Sequence, residues 1–143
     1  MIETTKDPVI ISHANARSIC DHTRNLSDEQ IKALAEKKGV IGITFYPEFL
    51  SKKKTTINDV IKHIEYISNL VGVDYIGLGP DFIDYLGDLG KQILSTSEIY
   101  SRATYLYPEG IENVTKMPFL TEKLLGEGFF NQRNKENTRG KLS

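Results

Sequence analysis

Apolar positions fall along this chain in two alternating patterns, short continuous runs and longer stripes at helical spacing. The run Pro8-Val9-Ile10-Ile11-Ser12-His13 puts β-branched residues on both pleat faces, as in a parallel strand covered on both sides. Ser27 then offers an N-cap with Gln30 three residues on, and Leu26 and Ile31 occupy the staple positions around it. Ile31, Leu34 and Ala35 mark one face of the helix this predicts over Asp28 to Lys38, with Gly39 as its C′ residue. Val40 to Tyr46 reads as a second buried strand, and Pro47 to Thr55 as a loop whose Lys52, Lys53 and Lys54 face solvent. Thr56 and Asp59 open a second helix, in which Ile57, Val60, Ile61, Ile64, Ile67 and Val71 recur at helical spacing until Gly72. Asp74 to Gly79 forms a third strand, a long mixed segment from Ile83 to Pro108 has the character of a functional loop, and a last helix is expected near Phe119 to Leu125.

Strand, helix, strand, helix, strand at steps of about thirty residues is the grammar of βαβ units. A doubly wound sheet and part of a (β/α)8 barrel both fit. No GxGxxG or GxxxxGK[ST] follows a strand, which removes the phosphate-cradling loops expected of a nucleotide-binding sheet and favours the barrel. A barrel needs about 250 residues. This chain has 143, enough for three of the eight units.

Composition narrows the function classes. Eighteen basic residues against nineteen acidic ones leave a net charge of −1, so no basic excess exists to hold nucleic acid or an anionic membrane. No apolar run reaches the roughly 18 residues of a membrane span, and the first residues lack the basic start and apolar centre of a signal peptide, so a cytoplasmic location is expected. The single cysteine, Cys20, reads as a small buried or half-buried apolar residue in preference to a reactive thiol.

In a barrel the chemistry lies where strands end, and each strand here ends in a usable residue: His13, Tyr46 and Asp81. Position alone does not decide their roles. A histidine closing an apolar strand is more often a hydrogen-bonded rim residue than a metal ligand, an aspartate after a Gly-Pro bend more often a turn residue, and a tyrosine there more often packing. Arg24 is either a solvated surface charge or a bidentate partner for a carboxylate. His22 flanks Arg24, while His63, mid-helix beside Asp59 and Lys62, is expected to be half-exposed. Three histidines this far apart do not assemble the three or four donors a zinc site requires.

The run PVIISHANARSICDHTRNLSDEQIKALAEKKGVIGITFYPEFL resembles the membrane (renal) dipeptidase family of metallopeptidases. The family's pattern there is close to S-H-S-x-A at a strand end, then C-x-x-x-R-N, a helix, and a strand ending in F-Y. The likeness continues through INDVIKHIEYISNLVGVDYIGLGPDF, similar to a D-H-I-D-x-I segment and a G-x-G-S-D-F-D-G strand end, and through PEGIENVTKMPFLTEKLL. It implies the C-terminal part of a (β/α)8 barrel holding two zinc ions, bridged by a carboxylate and a hydroxide that attacks the peptide bond of a dipeptide. By the same resemblance His13 matches a zinc-ligand histidine, Arg24 the arginine on the substrate's terminal carboxylate, Asp81 the aspartate facing its amino terminus, and Tyr46 a tyrosine near the pocket.

The family's H-x-D, bridging glutamate and preceding histidine have no counterpart here, and DFIDY stands where D-F-D-G is usual. The resemblance therefore implies a partner, an N-terminal dipeptidase fragment carrying the other metal ligands. A truncated non-enzymatic relic or interaction fragment, and another metal-dependent amidohydrolase barrel, are the competing readings. Residues 1–129 are assigned to the partial barrel. Residues 130–143 are expected to be a disordered polar tail without site residues, and a one-base frameshift near codon 130 would account for the loss of a family-like closing helix.

Overall fold

A computed structural model describes residues 7–83, 87–89, 92 and 107–128. Three strands, β1 (Ile10–Ala14), β2 (Val40–Ile43) and β3 (Ile76–Leu78), form a parallel sheet in the order β1-β2-β3. Packed with them among the described residues are the helices α1 (Asp28–Glu36), α2 (Pro47–Leu50), α3 (Ile57–Val71) and α4 (Met117–Gly126). The 130–143 tail and most of the Ile83 to Pro108 loop lie outside the described residues.

Both long helices begin where the side chains dictate. Ser27 accepts from the Gln30 amide while the Gln30 side chain accepts from the Ser27 amide, and Thr56 with Asp59 closes the same kind of box on α3. The end of α1 differs from expectation. Lys38, not Gly39, adopts the left-handed conformation at φ 56°, with its amide on the Ala35 carbonyl and the Gly39 amide on the Leu34 carbonyl. Gly39 serves another purpose, because a Cβ there would stand 2.5 Å from both Leu34 Cδ1 and the Val9 carbonyl oxygen. The expected Pro47 to Thr55 loop contains the one-turn helix α2, started by Pro47, and its three lysines are exposed.

The core lies between the sheet and its helices. Ile31 and Leu34 of α1, Ile41 and Ile43 of β2, and Val60, Ile64 and Ile67 of α3 are fully or almost fully buried. Each such side chain contributes on the order of 2 kcal/mol through removal from water. Residues 107–128 pack back onto this core through Tyr107, Ile111 and Leu120, and the Ile57 amide donates to the Glu109 carbonyl at 2.9 Å. The other side of the sheet is open among the described residues. Ile10 is 75% exposed and Ser12 is also exposed, so the first strand is covered on one side where two were expected. Among the described residues no helix is long and apolar enough to cross a membrane.

Two features fix the strand ends. A register shift between Ile11 and Ala14 bulges β1, and a Cβ on Gly42 or Gly79 would stand 2.2 or 1.9 Å from the Ser12 carbonyl oxygen. Glycine at both positions is what lets the bulged strand approach. His63 supplies the second. It was expected to be half-exposed and is instead completely buried, because α3 turns it toward the loops. Its Nδ1 accepts from the Ala16 amide at 3.1 Å and its Nε2 donates to the Leu50 carbonyl at 3.0 Å, which pins the β1–α1 loop and α2 to α3. Burial holds the imidazole below its ordinary value of 6.5, against the opposing effects of the Leu50 carbonyl and Asp59.

Two outcomes follow for stability. Gly79→Ala is expected to cost about 1–3 kcal/mol in chemical denaturation, since backbone must move to admit the methyl group. Removing the His63 ring leaves a buried donor and a buried acceptor unpaired, so His63→Leu is expected to cost about 2–4 kcal/mol and His63→Gln less. A buried imidazole with a lowered folded pKa binds fewer protons folded than unfolded. The stability His63 confers is therefore complete above pH 6.5 and is lost as pH falls through its folded pKa. A denaturation series in pH should show that loss in the parent protein and not in His63→Leu.

Candidate active site

Parallel strands deliver their C-terminal ends to one edge of the sheet, and His13, Tyr46 and Asp81 stand at or just beyond those ends. His13 is half-buried on the bulge of β1, with Nδ1 2.8 Å from Ser12 Oγ. Engagement of Nδ1 by the hydroxyl turns Nε2 into the nitrogen available to a ligand. Asp81 is exposed and left-handed at φ 60°. Its turn is held by Tyr107, whose hydroxyl donates to the Asp81 carbonyl at 2.9 Å and accepts from the Ile83 amide at 2.7 Å. Phe82 packs edge-on between Phe45 and Tyr107, at 5.6 and 4.9 Å between ring centres. The Phe45 amide reaches the Pro80 carbonyl at 3.4 Å, which joins the ends of β2 and β3.

Arg24 and Tyr46 meet through a residue the pattern of the sequence did not single out, Phe49 of α2. The Tyr46 ring lies 4.8 Å from the Phe49 ring at 61°, and the Arg24 guanidinium carbon lies 5.9 Å from the same ring centre. Tyr46 is buried against that ring, while Arg24 is exposed. Beneath the ring, the Phe49 carbonyl accepts from Asn25 Nδ2 at 2.8 Å and Asn15 Nδ2 at 3.3 Å. Asn25 also donates to the Cys20 carbonyl at 2.9 Å and accepts from the Asn15 amide at 3.2 Å; Asn15 donates to the Thr44 carbonyl at 3.1 Å. Both asparagines are fully buried and neighbour site positions in the sequence, Asn25 directly after Arg24. Both sit in a loop that is polar along most of its length, Asn15 to Ser27, so nothing local marks them as the buried members of it.

Arg17 braces the same loop, donating to the Asn25 carbonyl at 2.7 Å and the Thr23 carbonyl at 3.2 Å. Cys20 is buried as expected and donates to the Glu48 carbonyl at 3.4 Å; burial pushes its thiol up, partly offset by Lys52. Such a thiol is a packing group with little thiolate character.

A metal requires converging donors, and among the described residues no three His, Cys, Asp or Glu side chains gather to hold one. His13 is a single candidate donor. The described residues on their own do not amount to a metal centre.

Comparison with known proteins gives this edge its context. Dipeptidase aclJ of Aspergillus oryzae is 32% identical over 131 residues, which span 90% of this chain and 26% of that protein. An amidohydrolase from Pseudomonas aeruginosa has the same fold at a TM-score of 0.71 and 36% identity, over 89% of this chain and 41% of that one. A metallo peptidase from Rhodobacter sphaeroides, solved with a phosphinate mimic of the dipeptide L-Ala-D-Ala, shares the fold at a TM-score of 0.68 and 24% identity, over 89% of this chain and 32% of its own. The chain thus spans between about a quarter and two fifths of the length of these relatives, and its three βα units are part of a (β/α)8 barrel. The family model described as membrane dipeptidase, peptidase family M19, matches residues 1–139, nearly the whole sequence, and the chain belongs to that family.

Proposed function

We propose that this chain is the C-terminal portion of a zinc-dependent dipeptidase, which hydrolyses the peptide bond of a dipeptide, and that it supplies the groups that hold the substrate's two termini. The observation that carries the proposal is Arg24, held with Tyr46 on the Phe49 ring at the sheet edge that also carries His13 and Asp81. Arg24 pairs with the substrate's terminal carboxylate through its planar fork of donors, and Asp81 faces the free amino group. Charges at both ends select dipeptides, because a longer peptide would put one terminus out of reach. The phosphinate dipeptide mimic bound by the Rhodobacter sphaeroides relative supports that substrate class. His13 gives one ligand to the metal. The remaining ligands belong to a further segment, an N-terminal dipeptidase portion that completes the barrel against the open side of this sheet.

The chain by itself is expected to bind zinc weakly and to turn over no dipeptide. Calorimetric titration with zinc checks the first point, and saturable tight binding that is lost in His13→Ala would show that more ligands are present than this reading allows. With the complementing N-terminal portion supplied, Arg24→Ala is expected to raise KM by tenfold or more, about 1.5–3 kcal/mol for a charge-assisted hydrogen bond, with a smaller change in kcat. N-acetylated dipeptides should be poor substrates for the parent assembly. Equal rates on acetylated and free dipeptides would remove the role given to Asp81.

A further inference from the structure

The loop that carries Arg24 holds a second polar group against the same aromatic ring. His22 is half-buried with its ring centre 4.5 Å from that of Phe49, tilted by 40°. Its Nδ1 accepts from the Arg24 backbone amide at 3.1 Å. That bond fixes which ring nitrogen is left over. An Nδ1 that accepts leaves the proton of the neutral imidazole on Nε2, and Nε2 makes no hydrogen bond among the described residues and is not shut away from solvent.

The turn itself does not need an imidazole. A bond from the side chain of one residue to the amide two positions on is the Asx-turn geometry, which the shorter asparagine or aspartate makes as well. The extra reach of histidine goes into the stack on Phe49 and into carrying a donor beyond it. Phe49 is itself immobilised, its carbonyl held by two buried asparagines. His22 and Arg24 are therefore two donors on one short turn, both resting on a single clamped ring.

We infer that His22 is a second donor to the substrate's terminal carboxylate, its Nε2–H taking one oxygen while the Arg24 guanidinium takes the other. The inference rests on the reading of Arg24 as the carboxylate clamp, and it adds a residue that sets the preference for a free carboxylate over a blocked one. A carboxylate has two oxygens and about four lone-pair sites, so a guanidinium and an imidazole are accommodated together.

Nuclear magnetic resonance on the full chain tests this with alanylalanine and its C-terminal amide as probes. The free carboxylate is expected to shift both the His22 ring and Arg24 Nε resonances, and the amide neither. His22→Asn, which keeps the turn and removes the distal donor, should weaken alanylalanine binding about tenfold. His22→Phe, which keeps the stack on Phe49, should do the same. Shifts at Arg24 without shifts at His22, or parental affinity in either variant, would overturn the inference and leave the Arg24 clamp standing. Absence of carboxylate-dependent shifts at both residues would overturn the clamp reading and this inference with it.

Discussion

A loop leaving the end of a parallel strand carries its peptide groups into a buried region where neither helix nor sheet can pair them, and each group left unpaired there costs about 1–3 kcal/mol. That constraint organises this end of the molecule. The amide of Ala16 and the carbonyls of Cys20, Thr44, Phe49 and Leu50 are all met by side chains, namely those of Asn15, Asn25 and His63. Two of the three residues come from the β1–α1 loop and the third from α3. They make the β1–α1 loop, α2 and α3 mutually dependent, and the backbone that carries the Phe49 ring is fixed because its carbonyl is one of the groups being satisfied.

Where Arg24 and Asp81 stand at this edge is accordingly a property of backbone placement more than of any charge they carry. Arg24 is exposed, and an exposed cation is ordinarily worth little in stability and is poorly fixed in direction. Here the residue after it is buried and bonded to α2, and the residue two before it receives its amide. Asp81 is held by similar means, since the Tyr107 hydroxyl ties both sides of its turn from a segment 26 residues away. The exposed ion pair between Lys54 and Glu109, by contrast, adds little beyond the backbone pairing it accompanies.

The helices were legible because their caps are written locally: Ser27 with Gln30, and Thr56 with Asp59, specify starts that tertiary packing had no reason to change. The strand ends were legible as places where His13, Tyr46 and Asp81 gather, because the βαβ order alone sends them to one edge. What a single pass could not supply were the roles assigned across distance. His63 sits among polar neighbours in sequence, and only the fold shows that its side of α3 meets two loops. Phe49 went unmarked within the expected Pro47 to Thr55 loop, since its importance arises from what stacks on it. Gly39 read as a helix terminator, whereas close approach of Leu34 and Val9 sets its identity and Lys38 makes the left-handed turn.

The glycines on the open side of the sheet have a volumetric meaning. Gly42 and Gly77 are paired across β2 and β3, Gly79 follows on the same face, and the Ser12 backbone takes up part of the room they leave. Barrel interiors are filled in layers, with neighbouring strands contributing side chains of complementary size. These three strands contribute very little bulk on this face near their C-terminal ends. At this level the sheet is thin and lined by backbone, so a side chain of any size on this face would have to displace the Ser12 peptide before it could be seated.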